Sequence, residues 1–223
     1  MRRVVILRPR PAADRTAAKA ALLGMEARVH PLFAPLALDW TPPPVEGFDA
    51  LLLTSAHGVA CAGPNLARYR SLPAYAVGEA TAAALRAAGF APVIAGSGDA
   101  SAIAARIVAD GHGRVLHLAG TTVAPMDAGP LLVQRVAVYG MTALPPDPSL
   151  IAMATPGTIL LVHSPRAGER LAAQLPPNRR ASLHVVAISA NALAACGDGW
   201  ASGQAPAAPT DDEMLALARR LCE

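Results

Sequence analysis

Small hydroxylated residues, one glycine and one arginine follow the short apolar runs of this sequence. The set comprises Arg8, Thr54, Ser55, Gly78, Ser164, Ser189 and Thr210. Hydroxyl groups and the backbone N–H groups of helix N-termini hydrogen-bond carboxylates, and arginine adds a planar fork of donors. Each residue taken alone is more simply interpreted as a cap of the helix that follows it. The recurrence of such residues along the chain favours a binding surface for an anionic small molecule.

Two ring-bearing side chains are further candidates for this site. His57 opens a predicted helix beside the Thr-Ser pair, and Tyr139 lies on an extended segment. The Tyr139 hydroxyl could face a ligand, or its ring could pack against a hinge. The histidines lack helical i, i+4 spacing and carboxylate partners, and Cys61, Cys196 and Cys222 are far apart. We therefore expect neither a metal site nor a disulfide framework.

Composition excludes several classes of protein. The net charge is +3, but Lys19 is the only lysine, aromatic residues are 4% of the chain, and no dense basic run occurs. This pattern argues against a nucleic-acid surface. The first apolar run, residues 4–7, is too short for a signal-peptide core, and no stretch approaches the roughly 18–20 apolar residues that span a bilayer. We expect a cytoplasmic protein without nucleic-acid or membrane partners.

Short apolar runs alternate with helical patterns along the whole chain. Strands are predicted at 4–7, 27–30, 50–53, 74–77, 92–94, 115–118, 158–162 and 184–188, and helices at 14–23, 79–88, 101–110, 166–175 and 211–221. This alternation predicts an α/β fold with parallel sheets covered by helices on both faces. Ligands of such sheets bind beyond the carboxyl ends of the strands, where the candidate residues stand.

The middle and the end of the chain resemble each other. LLLTSAHGV (51–59) aligns with ILLVHSPRA (159–167), which pairs Ser55 with Ser164. AVGEATAAALRAAGF (76–90) aligns with AISANALAACGDGW (187–200), which pairs Gly78 with Ser189. The repeat predicts two copies of one unit. Linkers near 31–44 and 135–148 then predict a discontinuous domain of residues 1–36 plus 143–223, interrupted by a domain of residues 37–142.

An ordered series of motifs resembles the uroporphyrinogen-III synthase family. The motifs are TSAHGV, AVGEATAAALRAAGF, GDAS, VLHLAG, VAVY, HSPRAGER, AIS and the PT before the last helix. The resemblance implies two flavodoxin-like open parallel-sheet domains, joined by a two-stranded linker, with a cleft between them. It also implies a cofactor-independent and metal-independent hydro-lyase of tetrapyrrole and heme biosynthesis, which we expect to be a monomer.

The same resemblance implies a substrate, a reaction and site residues. Hydroxymethylbilane, a linear tetrapyrrole with eight carboxylates, loses water and closes to a macrocycle with ring D inverted. Tyr139 is similar to the family's linker tyrosine, which assists departure of the hydroxyl. The substrate-binding set is expected to be Arg8, Thr54, Ser55, His57, Gly58, Gly78, Gly120, Ser164, Arg166, Ser189 and Thr210. His57 stands where the family usually has asparagine.

Two other functions are compatible with such a fold. One is a non-catalytic two-domain module that binds or senses a small polyanion. The other is a redox flavoprotein, which would need a Ser/Thr-rich phosphate loop after the first strand. The sequence there is Arg8-Pro9-Arg10-Pro11, which supplies no such loop. The motifs favour the synthase.

Overall fold

A computed structural model describes residues 3–96 and 98–222 of the chain. It divides into two compact units. The first unit comprises Met1–Ala34 and Ala143–Glu223, and the second unit comprises Pro35–Thr142. The first unit is thus built from two separate stretches of the chain.

Strands and helices alternate along the described residues. The strands are β1 (Arg3–Ile6), β2 (Glu26–Val29), β3 (Phe33–Ala37), β4 (Ala50–Leu53), β5 (Ala74–Val77), β6 (Val93–Gly96), β7 (Arg114–Gly120), β8 (Leu132–Ala143), β9 (Ile159–Val162), β10 (His184–Ala187) and β11 (Ser202–Gln204). The helices are α1 (Ala12–Leu22), α2 (Ala56–Cys61), α3 (Glu79–Ala87), α4 (Ala100–Ala109), α5 (Pro148–Met153), α6 (Pro165–Gln174), α7 (Pro177–Arg180), α8 (Ala190–Ala194) and α9 (Asp211–Cys222).

The first unit contains a five-stranded parallel sheet in the order β11-β10-β9-β1-β2. Numbered within the unit, this order is the 2-1-3-4-5 arrangement of flavodoxin-like folds. Alternate strand residues face two separate apolar clusters. Val5 and Leu160 belong to one cluster, and Val4 and Ile159 belong to the other. Both faces of the sheet are therefore buried, which explains why its strands are continuous apolar runs.

The second unit contains a six-stranded sheet in the order β3-β8-β7-β4-β5-β6. Its strands from β8 to β6 pair in parallel. Leu51 and Leu53 face one apolar cluster, whereas Leu52 and Tyr75 face the other. The sheets of both units confirm the predicted α/β class with helices on both faces of parallel sheets.

Apart from β3, which lies in a predicted linker, three of the described helices and strands are not predicted by the sequence patterns. They are α5, α7 and β11, each of three to six residues. Prolines precede or begin both helices, and such residues are typical of linkers as well as of first helical turns. In α5, Pro148 follows Asp147, whose side chain accepts the Ser149 N–H at 2.8 Å and so caps the helix. β8 is also longer than the predicted extended segment 135–139.

Candidate active site

The carboxyl edge of the second unit's sheet brings six candidate residues together. They are Thr54, Ser55, His57, Gly58, Gly120 and Tyr139, which lie on or directly after β4, β7 and β8 or in α2. Ser55 is the N-cap of α2, and its Oγ accepts the His57 N–H at 3.2 Å. Capping uses the oxygen as an acceptor, so the hydroxyl hydrogen remains available for donation to a ligand.

A β-bulge sets the position of Tyr139. Ala119 of β7 pairs with Ala137 of β8, but Gly120 pairs with Tyr139, so Val138 is an extra residue in β8. Val138 is fully buried, whereas Tyr139 is half-buried. Bulges of this kind redirect a side chain and are common beside active sites. The bulge therefore orients the tyrosine beside the carboxyl end of β7.

The Tyr139 ring packs against a glycine surface. A Cβ added to Gly120 would lie 2.9 Å from Tyr139 Cζ and 3.1 Å from its hydroxyl oxygen. A Cβ added to Gly58 would lie 3.3 Å from the Leu118 carbonyl oxygen and 4.0 Å from Tyr139 Cε1. The two glycines thus allow α2 and the tyrosine ring to approach β7 closely.

The His57 ring packs against the Tyr139 ring. Its ring centroid lies 5.8 Å from that of Tyr139, with the two planes inclined by 59°. This geometry is typical of tilted aromatic pairs. Among the residues that the structure describes, the Tyr139 hydroxyl has no hydrogen-bond partner. The ring is held by packing while its hydroxyl remains available to a ligand.

A buried histidine forms a hydrogen bond with Thr54. His117 of β7 is 4% exposed, and its Nε2 lies 3.4 Å from Thr54 Oγ1. Burial, together with the nearby charge of Arg135, lowers the pKa of His117 to about 4. The imidazole is therefore neutral near pH 7 and forms a neutral hydrogen bond to the threonine.

Gly78 follows β5, the neighbour of β4, and is the N-cap of α3. Its φ of +82° lies in the region that favours glycine. No described atom lies within 4 Å of a Cβ added there. The backbone conformation, and not a shortage of space, therefore requires glycine at this turn.

The hydroxylated candidates of the first unit all cap helices. Ser164 Oγ accepts the Ala167 N–H at 3.2 Å, at the start of α6. Ser189 and Thr210 do the same for α8 and α9, at 3.3 Å each. Ser164 and Ser189 thus occupy the positions that Ser55 and Gly78 occupy in the second unit. Each oxygen is held in place by an N–H group, as in the second unit.

Arg8 lies in a polar cluster that the sequence reasoning missed. Its Nη1 donates to Asp211 Oδ1 at 2.7 Å, His163 Nε2 lies 3.0 Å from the same oxygen, and Thr16 donates to Oδ2 at 2.6 Å. Burial alone would raise the pKa of Asp211. The hydrogen bonds from His163 and Thr16 and the charge of Arg8 outweigh burial and hold this pKa well below its usual range.

This cluster limits what Arg8 can do for a ligand. Burial lowers the pKa of His163, so its neutral ring donates Nε2–H to the ionised Asp211. The charge of Arg8 is thereby balanced by Asp211, and its side chain is 28% exposed. Arg8, a predicted substrate-binding residue, therefore presents its charge as part of an ion pair at the carboxyl end of β1.

Arg166 remains exposed on α6. Its guanidinium carbon lies 5.0 Å from the centroid of the Phe33 ring, and that of Arg170 lies 5.8 Å from the same centroid. Neither Phe33 nor Arg170 was a sequence candidate.

Neither a metal site nor a membrane-spanning helix occurs within residues 3–96 and 98–222. No group of three or more His, Cys, Asp or Glu side chains there could hold a metal ion. None of the helices in these ranges combines the length and apolar character needed to cross a bilayer.

Comparison with known proteins identifies relatives of this chain. A protein-family model described as uroporphyrinogen-III synthase HemD matches residues 14–216. The crystal structure of uroporphyrinogen-III synthetase from Helicobacter pylori 26695 is similar, with a TM-score of 0.66 and 17% identity over 99% of this chain and 100% of the other. A mutant uroporphyrinogen III synthase from the extremely thermophilic bacterium Thermus thermophilus aligns at TM-score 0.46 and 18% identity, over 100% and 99%. No curated protein matches the chain significantly in sequence.

Proposed function

Because this chain belongs to the uroporphyrinogen-III synthase family, an enzyme family of tetrapyrrole biosynthesis, we propose that the residues around Tyr139 perform the family's ring closure. Hydroxymethylbilane loses its terminal hydroxyl as water, which leaves an electrophilic methylene carbon on the terminal pyrrole. The substituted carbon of ring D attacks this methylene carbon. In the resulting spiro intermediate the bond between this ring D carbon and the bridge to ring C breaks, and the bridge carbon then bonds to the free α carbon of ring D, which loses a proton, so that ring D is inverted. The observation that supports this role is the Tyr139 phenol, held against Gly120 by a β-bulge at the carboxyl edge of the sheet.

Tyr139 is proposed to assist departure of the hydroxyl. Its O–H donates a hydrogen bond to the leaving hydroxyl as the C–O bond breaks. The hydroxyl takes up a proton and departs as water, and the N–H of the same pyrrole loses a proton, which leaves a neutral azafulvene. A positioned donor of this kind lowers the barrier where negative charge develops. The bilane also closes unaided to the uninverted isomer, so the enzyme's main task is to position ring D. A firmly packed tyrosine suits this task because its ring position is determined by Gly58 and Gly120.

The capping residues are proposed to bind the substrate's acetate and propionate groups. Thr54, Ser55, Ser164, Ser189 and Thr210 each hold a hydroxyl at the carboxyl edge of a sheet or at a helix start. Gly78 leads into the N-terminus of α3, whose first N–H groups are proposed to face the substrate. The N–H groups of His57 and Gly58 already donate to Ser55, so His57 is proposed to contact the substrate through its ring, and Gly58 contributes by allowing the close approach of α2 to Tyr139. Such N–H groups and hydroxyls suit carboxylates.

The activity is tested with the purified chain and hydroxymethylbilane. After oxidation, chromatography separates the type I and type III products, and a reaction without protein gives the unaided rate of type I formation. We expect predominantly the type III isomer. Formation of type I alone, at the unaided rate, would refute the proposed function.

The role of Tyr139 is tested by Tyr139→Phe. Loss of one neutral hydrogen bond worth about 1 kcal/mol predicts a fall of about 5- to 10-fold in the rate of type III formation. Tyr75→Phe is the matched control, because that phenol donates to Asp110 at 2.9 Å away from the site. The control should lose stability but keep its rate. An unchanged rate for Tyr139→Phe removes the hydroxyl from the mechanism.

We also propose that the enzyme acts in the cytoplasm as a monomer, without a cofactor. Sedimentation equilibrium checks the oligomeric state, and a concentration-dependent dimer would contradict it. Cell fractionation checks the location.

A further inference from the structure

Phe33, the first residue of β3, follows the last strand of the first unit's sheet at a defined distance from a paired residue. Leu161 of β9 pairs with Ile6 of β1, and Ile6 pairs with Val29 of β2. Leu161 lies three residues before the capping Ser164. Phe33 lies four residues beyond Val29, in the chain that leaves β2.

Tyr139 lies at the same distance from the equivalent paired residue of the second unit. Leu52 of β4 pairs with His117 of β7, and His117 pairs with Arg135 of β8. Leu52 lies three residues before the capping Ser55, and Tyr139 lies four residues beyond Arg135. The two sheets also have corresponding strand orders, β11-β10-β9-β1-β2 and β6-β5-β4-β7-β8. Phe33 is therefore the internal counterpart of Tyr139.

The residue that packs on each ring is equivalent as well. His57 lies two residues after the capping Ser55, and Arg166 lies two residues after Ser164. His57 contacts Tyr139 with ring centroids 5.8 Å apart, and the Arg166 guanidinium carbon lies 5.0 Å from the Phe33 centroid. Both copies of the unit thus build the same device, an aromatic ring covered by the second residue of a helix.

The two copies differ in the chemistry of this device. Phe33 has no hydroxyl, so it cannot assist a leaving group, whereas Arg166 carries a permanent charge and a planar fork of donors. We propose that Arg166, supported on Phe33 and accompanied by Arg170, binds a carboxylate of the substrate. This inference rests on the proposed function and adds Phe33 and Arg170 to the site as positioning residues.

The surroundings of the two arginines suit this role. Among the described residues, Arg166 has no hydrogen bond or ion pair, and its side chain is exposed. The Arg170 Nη2–H donates to the Leu144 carbonyl oxygen, and the Arg170 Nε is buried without a partner among the described residues. Arg170 is thus anchored, and its charge adds to that of Arg166 beside the Phe33 ring. A flat guanidinium resting on a ring loses little freedom when it binds a carboxylate.

Arg166→Ala tests the proposed contact. One charge-assisted hydrogen bond predicts a rise of about 10-fold in KM for hydroxymethylbilane, with kcat changed less than about 2-fold. Uroporphyrin III binding, followed by quenching of its fluorescence, should weaken by a similar factor. Arg179→Ala is the matched control, since Arg179 is an exposed arginine of α7, which lies before the amino end of β10 and therefore away from the carboxyl ends of the strands. The control should leave both measurements unchanged.

Two further variants separate a binding role from a structural one. Phe33→Leu keeps an apolar side chain but removes the ring, and should raise KM about 2- to 5-fold. Arg166→Lys keeps the charge but loses the fork, and should recover part of the binding lost in Arg166→Ala. Unchanged KM and unchanged uroporphyrin III binding in Arg166→Ala would overturn the inference. Failure of the wild-type chain to form type III product would instead refute the proposed function, and the porphyrin-binding measurement still tests Arg166.

Discussion

Replacing Gly120 with alanine should displace Tyr139. The added Cβ would lie 2.9 Å from Tyr139 Cζ, about half an ångström short of the 3.4 Å at which ordinary contact begins. The glycine is buried at the end of a sheet strand, so the ring must move more than the backbone. Overpacking of this size costs about 1–3 kcal/mol of stability. A misplaced catalytic group should also lower the rate of type III formation about 10-fold or more.

The assay follows type III and type I products from hydroxymethylbilane, with thermal unfolding measured in parallel. Unaided closure competes once the enzyme slows, so the type I fraction should rise in Gly120→Ala. Gly140→Ala is the matched control: its Cβ would lie 3.7 Å from Thr121 Oγ1, an ordinary contact. The double variant Gly120→Ala, Tyr139→Leu should recover part of the lost stability without recovering the rate.

Three outcomes would contradict this reasoning. A Gly120→Ala variant with the wild-type rate and isomer ratio would show that the ring position is unimportant. Equal losses in Gly120→Ala and Gly140→Ala would point to the strands and not to Tyr139. Strictly additive stability losses in the double variant would show that Gly120 and Tyr139 do not interact.

Two further predictions concern stability. Burial in the folded chain lowers the pKa of His117 from 6.5 to about 4. Between these pH values the unfolded chain binds more protons than the folded chain, so the free energy of unfolding should fall as pH is lowered from about 6.5 to 4. Chemical denaturation at several pH values should show a smaller pH dependence in His117→Leu, and an unchanged dependence would refute the assignment. Gly168→Ala places a Cβ 2.8 Å from the Ala192 carbonyl oxygen and 3.0 Å from the Cys196 N. Because both atoms are backbone atoms, the substitution should lower the free energy of unfolding by about 2–3 kcal/mol. A chemical-denaturation midpoint equal to that of the wild type would contradict the close packing of α6 on α8.

The sequence was sufficient for most of the fold because each sheet is buried on both faces. Strands such as β4 and β9 are uninterrupted apolar runs, fully buried in the structure, and the helices between them have clear caps. β11 offered no such signal, because its three residues, Ser202–Gln204, are polar or glycine. It forms only because β10 provides a parallel neighbour, which is a tertiary effect.

The candidate site was predictable where its signals are local. Caps such as Ser55 and Ser164 are evident from the residues that follow them. The bulge at Val138 has no local sequence signal, because it depends on how two distant strands pair. The Asp211 cluster was missed for the same reason: Asp211 reads as an ordinary first-turn acid, and its partner Thr16 lies 195 positions away in the chain.

The internal repeat relates residues of the two units that the motifs alone do not connect. Alignment of Ser55 with Ser164 already implies that Arg166 corresponds to His57, but the counterpart of Tyr139 becomes clear only from the strand pairing. Each copy has an aromatic residue four positions beyond a paired strand residue, Tyr139 in one and Phe33 in the other. The proposed roles differ because the first ring carries a hydroxyl and the second supports a cation. Tyr139 is proposed to assist the leaving group, and Arg166 on Phe33 is proposed to bind a carboxylate.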